Sequence, residues 1–155
     1  MTKLVHRFAG IIALLTIATF WLSTVFAELF ASDATVRAVK MAVPWGFFFL
    51  VPALAAAGAS GFAAAKGKRG RVIDKKIRRM PFIAGNGLLV LIPSAFFLSS
   101  KASAAEFDAT FYVVQVIELI AGATNIMLLG LNMRDGFKLT GRFRSKKSVK
   151  AAMSQ

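Results

Sequence analysis

Four long runs of uncharged residues constrain this chain more than any other feature of its sequence. Three of them, 8–27, 41–65 and 80–100, contain no Asp, Glu, Lys, Arg or His, and the fourth, 109–133, is interrupted only by Glu118. A helix needs about 20 residues to cross ~30 Å of hydrocarbon at 1.5 Å per residue. Every run reaches that length. The sequence therefore predicts four transmembrane helices, which cover approximately residues 4–30, 37–65, 80–100 and 109–133.

Short connections between the runs indicate how the helices are arranged. We expect about ten residues between the first two spans, about fourteen before the third and about eight before the fourth, and helices joined by such short loops pack antiparallel. The predicted fold is an all-α membrane protein, an up-down-up-down bundle of four transmembrane helices. This transmembrane domain covers residues 1–139, and a basic cytoplasmic tail follows at 140–155.

Basic residues are distributed unevenly between the two sides of these spans. Seventeen of the twenty Lys and Arg precede the first span, separate the second from the third, or follow the fourth, and the other three are Arg37, Lys40 and Lys101. Cytoplasmic loops carry the excess of Lys and Arg. We therefore expect both termini in the cytoplasm and a multi-pass protein of the bacterial inner membrane.

The same basic segments bear on binding partners. They lack the interleaved aromatic residues on which nucleic-acid bases stack, so no nucleic-acid partner is expected. Attraction to anionic lipid headgroups on the cytoplasmic side explains the net charge of +13. Four helices alone enclose little interior, and we expect a homodimer.

Composition excludes several classes of chemistry. The chain contains no cysteine, which excludes thiolate nucleophiles, zinc knuckles and iron–sulfur clusters. It contains one histidine, no Ser–His–Asp set, and no pair of carboxylates suited to hydrolysis in one compartment. A hydrolase is therefore not indicated, and the sequence leaves enzyme activity undecided.

Polar residues of the fourth span follow a regular spacing. Gln115 and Gly122 are seven residues apart, and so are Glu118, Asn125 and Asn132. Residues at this spacing lie on one face of a helix, and polar groups inside a membrane face the bundle interior or a partner subunit. Glu118 lies ~13 Å from the start of the run and is the one ionisable residue deep in a predicted span. Three roles for its side chain are left open: proton handling, contact with a ligand, and a neutral carboxyl bonded to Gln115 or a backbone carbonyl.

The single histidine opens the first span in the string His6-Arg7-Phe8-Ala9-Gly10. Helical spacing places His6 on one face with the small Gly10 and the bulkier residues that follow. Imidazole commonly ligates haem, and the interiors of helix bundles hold cofactors. His6 is thus a candidate ligand for haem b or a metal, and a second ligand would be the His6 of another chain, Met80 or another group, unless the iron is five-coordinate. Its alternatives are an interfacial anchor beside Arg7 and a contact to quinone.

The pattern His-Arg-x-x-Gly at the start of a membrane helix resembles cytochrome b-type membrane anchor subunits, such as that of succinate dehydrogenase. The resemblance implies that His6 and Arg7 lie near haem propionates and a quinone, although Lys3 stands where that family has a serine. The chain as a whole, in strings such as 79–82 and 130–136, is similar to small four-helix inner-membrane proteins of proteobacteria. That similarity implies a fold and no function.

These observations give one favoured function and two alternatives. The favoured one is a membrane-embedded cofactor-binding protein that holds haem b or quinone for electron transfer or sensing. The alternatives are a non-catalytic accessory or assembly factor for a larger membrane complex, and a small proton-coupled transporter that uses Glu118. His6 is the candidate metal ligand. The candidate cofactor-binding residues are His6, Arg7, Gly10, Asn86, Glu118 and Asn125.

Overall fold

The computed structural model describes residues 2–65 and 71–139, and within these ranges the chain is helical with no β-strand. The expectation of an all-α fold is confirmed. The predicted tail, 140–155, and residues 66–70 of the basic connection lie outside the described part. The α-helices in these ranges are α1 (Thr2–Phe30), α2 (Asp33–Ala65), α3 (Arg71–Asn86), α4 (Ile92–Ser103) and α5 (Ala109–Leu139).

Four helical segments are long and apolar enough to cross a membrane, as the sequence predicts. They are Leu4–Phe30, Asp33–Ala63, Ile77–Ser103 and Ala109–Gly136. The protein is therefore a four-helix bundle whose helices suit a multi-pass membrane protein. The second and third spans are longer than predicted. Residues 31–32 alone connect α1 to α2, and residues 104–108 alone connect α4 to α5.

The outer surface of the bundle is apolar. Several of its largest side chains are mostly exposed on the isolated chain, where water would solvate them poorly. A hydrocarbon environment suits such a surface, because every backbone amide and carbonyl within a long helix is already paired. The most exposed aromatic and leucine side chains are Phe30, Trp45, Phe48, Phe49, Phe82 and Leu89.

Two clusters of buried residues hold the spans together. The first, which we call the end cluster, joins the end of α1, the start of α2, the end of α4 and the start of α5. It lies beside the short connections, and we call this side of the bundle the connection end. The second cluster lies deeper and centres on Ala13, Ile17 and Leu50. The end cluster consists of Ala27, Val36, Leu98, Ala102 and Phe111.

Glycines allow α1 to approach its neighbours closely. A Cβ atom at Gly46 would overlap the ring of Phe20, and one at Gly122 would lie 2.9 Å from the indole of Trp21. Small residues in membrane helices permit such contacts between a large side chain and a neighbouring backbone. The positions of Phe20 and Trp21 therefore fix α1 against both α2 and α5.

The third span contains a π-helical turn, Gly87–Leu91, between α3 and α4. The amide of Ile92 donates to the carbonyl of Gly87, five residues earlier, where an α-helix would use the carbonyl four residues earlier. Pro93 follows, and its missing N–H removes one donor from the helix. The sequence analysis did not predict this turn.

Candidate functional site

A buried ion pair joins the second and fourth spans. The ammonium of Lys40 on α2 donates to the carboxylate of Glu118 on α5. The Lys40 side chain is 1% exposed and that of Glu118 is 13% exposed. Lys40 lies seven residues, or about 10 Å, into α2. Both charges are therefore held inside the bundle, within segments suited to cross a membrane.

This pairing corrects two sequence-based expectations. Lys40 was counted with Arg37 and Lys101 as a basic residue on the side opposite the termini, but its side chain is buried inside a span. Glu118 was expected to be the one ionisable residue deep in a span, and a contact to Gln115 or a backbone carbonyl was one of its alternatives, whereas its partner is Lys40. Both errors arise because a buried lysine becomes tolerable once a carboxylate neutralises it, and the sequence does not show that contact.

A signal for Lys40 is nevertheless present in the sequence. Val36, Val43 and Leu50 recur every seven residues and are all buried. Lys40 is four residues after Val36 and three residues before Val43, so it lies on the same face of the helix. A search for charged residues on the inward face of each span, beyond the uncharged runs, would have found it.

An apolar cavity of about 50 Å³ adjoins Glu118 on the side away from the connection end. Its wall includes the aromatic rings of Phe20, Trp21 and Phe47, and the hydroxyl of Thr24 is a further polar group among its lining residues. The indole N–H of Trp21 donates to the carbonyl of Leu119 at 2.9 Å. This bond holds α1 against α5 at the edge of the cavity.

Two more polar side chains lie near the ion pair. Glu28, near the end of α1, is within electrostatic range of Lys40 and Glu118, and its Oε1 is buried with no hydrogen-bond partner among the described residues. Gln115 is 3% exposed, and within the same part of the chain neither of its amide atoms has a partner. It precedes Glu118 by three residues and shares its face. We call Glu28, Lys40, Gln115 and Glu118 the polar layer.

Asn86 and Asn125 meet nearer the middle of the bundle. The amide of Asn86 donates to the side-chain oxygen of Asn125 at 2.9 Å and to the carbonyl of Ala121 at 2.8 Å. Asn125, which is 1% exposed, donates in turn to the carbonyl of Ile83 at 3.4 Å. The structure thus brings together Asn86 and Asn125, two of the candidate cofactor-binding residues.

The polar stripe of α5 faces the interior of the bundle, as its spacing predicts. Gln115, Asn125 and Asn132 are all buried. The stripe continues to Asp135, which accepts a hydrogen bond from Arg79 on α3 at 2.8 Å. Glu118 and Asp135 are seventeen residues apart, or about 25 Å along the helix. Polar groups therefore recur along most of the length of α5, with an ion pair at each end.

His6 packs against the small-residue face of α2. Its Nδ1 lies 2.9 Å from the carbonyl oxygen of Ala57 and 3.4 Å from the hydroxyl of Ser60. Its Cε1 lies 3.1 Å from the position that a Cβ would take at Gly61, and the methyl group of Met80 lies against the same position. The small residues of α2 thus allow His6 and Met80 to pack closely against this helix.

The remaining predicted site residues are not brought to the polar layer. Arg7 is exposed, and no atom lies within 4 Å of the Cβ position of Gly10, apart from its own helix backbone. Within residues 2–65 and 71–139, no three His, Asp or Glu side chains are grouped to hold a metal ion. Metal ligation by His6 stays a prediction. No protein-family model, curated protein or solved structure matches this chain.

Proposed function

We propose that this chain is a small proton-coupled membrane transporter in which Glu118 carries the proton and Lys40 is its counter-ion. The buried Lys40–Glu118 pair is the observation that carries the proposal. Charged side chains inside membrane segments are costly and rare, and they mark proton relays and ion pathways. The transporter role is therefore preferred to the other functions that the sequence suggests.

The surroundings of the pair support a role in transport. The cavity beside Glu118 is apolar, so the carboxylate has little solvation on that side. Farther along α5 the buried Asn125 and Asn132, and then Asp135, supply further polar groups in the direction of the other membrane surface. The next polar side chain on the inward face of the same helix is Asn125, seven residues or about 10 Å beyond Glu118.

The membrane arrangement is part of the same proposal. His6 at the start of α1 contacts Ala57 near the end of α2, and the end cluster unites the end of α1 with the start of α2. These contacts support an up-down-up-down bundle. The excess of Lys and Arg supports the placement of both termini in the cytoplasm of a bacterial cell. The connection end then faces outward.

Protonation gives the pair two states. When Glu118 is ionised, it neutralises Lys40 and holds α5 against α2. When Glu118 takes up a proton, the carboxyl becomes neutral and Lys40 loses its counter-charge, so the contact between the two helices weakens. A ligand shifts the equilibrium between two helix arrangements when it binds one of them more tightly than the other. Here that ligand is the proton.

Haem b or quinone bound near His6 stays a proposal made from the sequence, as do the accessory role and the homodimer. The Nδ1 of His6 contacts the Ala57 carbonyl and its ring lies against α2 at Gly61. A macrocycle would have to lie on another side of this imidazole. The geometry therefore favours the Glu118 centre.

The experiment that tests the transporter is proton flux into sealed proteoliposomes. Purified protein is reconstituted with a trapped pH-sensitive dye, and a potassium diffusion potential drives proton entry. We expect flux above that of empty vesicles, lost in Glu118→Gln, because the amide holds the same shape and cannot ionise. The matched control is Glu106→Gln, which alters an exposed carboxylate at the connection end. Full flux in Glu118→Gln would overturn the proposal.

A further inference from the structure

The charges of the polar layer do not balance. Glu28 and Glu118 bring two carboxylates, whereas Lys40 brings one ammonium, and Gln115 is neutral. On one side of the layer lies the end cluster of apolar residues, and on the other lies the apolar cavity. An unbalanced charge in such surroundings is expensive. Glu28 is partly exposed, but its Oε1 is buried, and a proton on one of the two carboxylates removes the excess negative charge.

The position of Lys40 indicates which carboxylate holds the proton. Lys40 is bonded to Glu118, so its ammonium offsets that carboxylate. Oε1 of Glu28 is buried and has no partner within the described residues, a position that suits a neutral carboxyl better than a carboxylate. Of the two carboxyl groups, Glu28 is therefore the better place for the proton in this arrangement.

Glu28 also lies between Glu118 and the membrane surface. It is near the end of α1, and Asp33, an exposed residue at the start of α2, is within its electrostatic range together with Lys40 and Glu118. At the same end, α4 contributes Lys101, whose ammonium is bonded to Glu106 and Asp108 of the connection. Lys101 is therefore already bonded to two largely exposed carboxylates. Glu28 is thus the ionisable residue through which a proton from Asp33 or water reaches Glu118.

We propose that Glu28 is a second proton carrier and that Lys40 alternates between Glu118 and Glu28. This inference rests on the proposed transport function and adds the route by which the proton enters. In the first state Lys40 pairs with Glu118 and the proton is on Glu28. In the second state Lys40 pairs with Glu28 and the proton is on Glu118, beside the cavity.

The exchange conserves both charge and protons. The O–H bond of Glu28 breaks and an O–H bond forms on Glu118, while the ammonium of Lys40 keeps its three protons and moves in the opposite direction. The layer contains one neutral carboxyl, one carboxylate and one ammonium before and after the step. Its net charge is zero in both states, so the low polarity of the surroundings does not oppose the transfer.

Infrared spectroscopy of the reconstituted protein tests where the proton is. A protonated carboxyl has a C=O stretching band well separated from that of a carboxylate. At neutral pH we expect such a band in the wild-type protein, shifted in frequency in Glu28→Asp and unshifted in Glu118→Asp, since both variants keep the number of carboxyl groups in the layer. A wild-type spectrum without the band, or a shift in Glu118→Asp alone, overturns the assignment to Glu28.

Proton flux tests whether Glu28 is on the route. In the proteoliposome assay we expect Glu28→Gln to slow proton entry by about tenfold or more, the low end of what a lost acid–base group costs. Glu28→Asp, which keeps an ionisable group, should recover part of the rate. Flux in Glu28→Gln equal to that of the Glu106→Gln control overturns the relay.

The two proposals fail in different ways. If Glu118→Gln stops the flux and Glu28→Gln leaves it unchanged, the transporter stands and the relay is wrong. If Glu118→Gln has no effect on flux, the transporter itself is wrong. Folding of each variant is followed by its elution as a single species in detergent and by its helical circular dichroism, so a misfolded variant is recognised before either assay.

Discussion

Two lysines in the half of the bundle near the connections have carboxylate partners, and their surroundings differ completely. Lys40 is buried and bonds one carboxylate from another span. Lys101 is 23% exposed and bonds Glu106 at 2.8 Å and Asp108 at 2.7 Å, both on the adjoining connection and both largely exposed. The chemical groups are the same. What differs is whether water can solvate the lysine ammonium group when its carboxylate partner is lost.

This difference decides what each ion pair contributes. An exposed pair gains little, because water solvates the separated charges almost as well. A buried pair gains little relative to an apolar pair of the same size, yet the loss of one partner leaves a charge that nothing solvates. The Lys101 pairs are therefore dispensable, whereas Lys40 and Glu118 depend on each other. That dependence is what makes the buried pair sensitive to a single proton.

Removal of the Lys40 charge should have the largest effect. We expect Lys40→Met to destabilise the protein by about 3–5 kcal/mol, because the Glu118 carboxylate is left buried without a counter-ion. Thermal unfolding in detergent, followed by circular dichroism, measures the change. The double variant Lys40→Met/Glu118→Leu is the control, and we expect it to recover most of the loss. Equal instability of the single and double variants would contradict the account.

Removal of an uncharged buried contact should destabilise the protein less than removal of the Lys40 charge. Asn125→Leu removes the hydrogen bond from Asn86, which keeps the carbonyl of Ala121 as an acceptor. Interhelical hydrogen bonds in membrane proteins contribute about 1 kcal/mol, so we expect a loss of that order in the same unfolding assay. A loss as large as that of Lys40→Met would show that the burial of charge is not what distinguishes the polar layer.

The exposed pairs should give the smallest effect, and one that depends on pH. The hydrogen bond from Lys101, together with the bond from the backbone N–H of Phe111, lowers the pKa of Asp108. A lowered folded-state pKa stabilises the protein above the ordinary aspartate value of about 3.9 and loses that contribution as the pH falls through the lowered value.

The variant Asp108→Asn separates this effect from general acid unfolding. We expect its melting temperature to lie slightly below that of the wild type at neutral pH and to approach it in acid, where Asp108 is protonated. Lys101→Met should show a small deficit that high salt removes, since salt screens exposed charges. A deficit in Asp108→Asn that persists unchanged in acid would contradict this prediction.

The fold could be predicted because membrane spans depend on a property of the chain itself. An uncharged run of about 20 residues crosses the bilayer whatever its neighbours are. The inward face of α5 was predictable for a similar reason, since the spacing of Gln115, Asn125 and Asn132 sets their common direction. The ends of the third span were predicted less well, because the charged residues Arg79 and Lys101 were taken as its boundaries.

The candidate site was predictable only in part. Glu118 and the Asn86–Asn125 pair come from residues that stand out in apolar runs. Lys40 and Glu28 become visible only when α1, α2 and α5 are packed, because their roles depend on contacts between spans. The cavity and the bond from Trp21 to α5 likewise depend on packing. For the same reason the sequence favoured a cofactor-binding role over a transport role for Glu118.

The π-helical turn at Gly87–Leu91 works like a one-residue insertion in the third span. One extra residue in a turn rotates everything after it by about 100° relative to a continuous α-helix. The side chains of the two halves of this span therefore face directions that are set independently: α3 directs Asn86 toward α5, while α4 directs Phe96 toward Phe47 of α2. Deletion of one residue from the turn would bring both halves into one register, and α4 would present the wrong face to its neighbours.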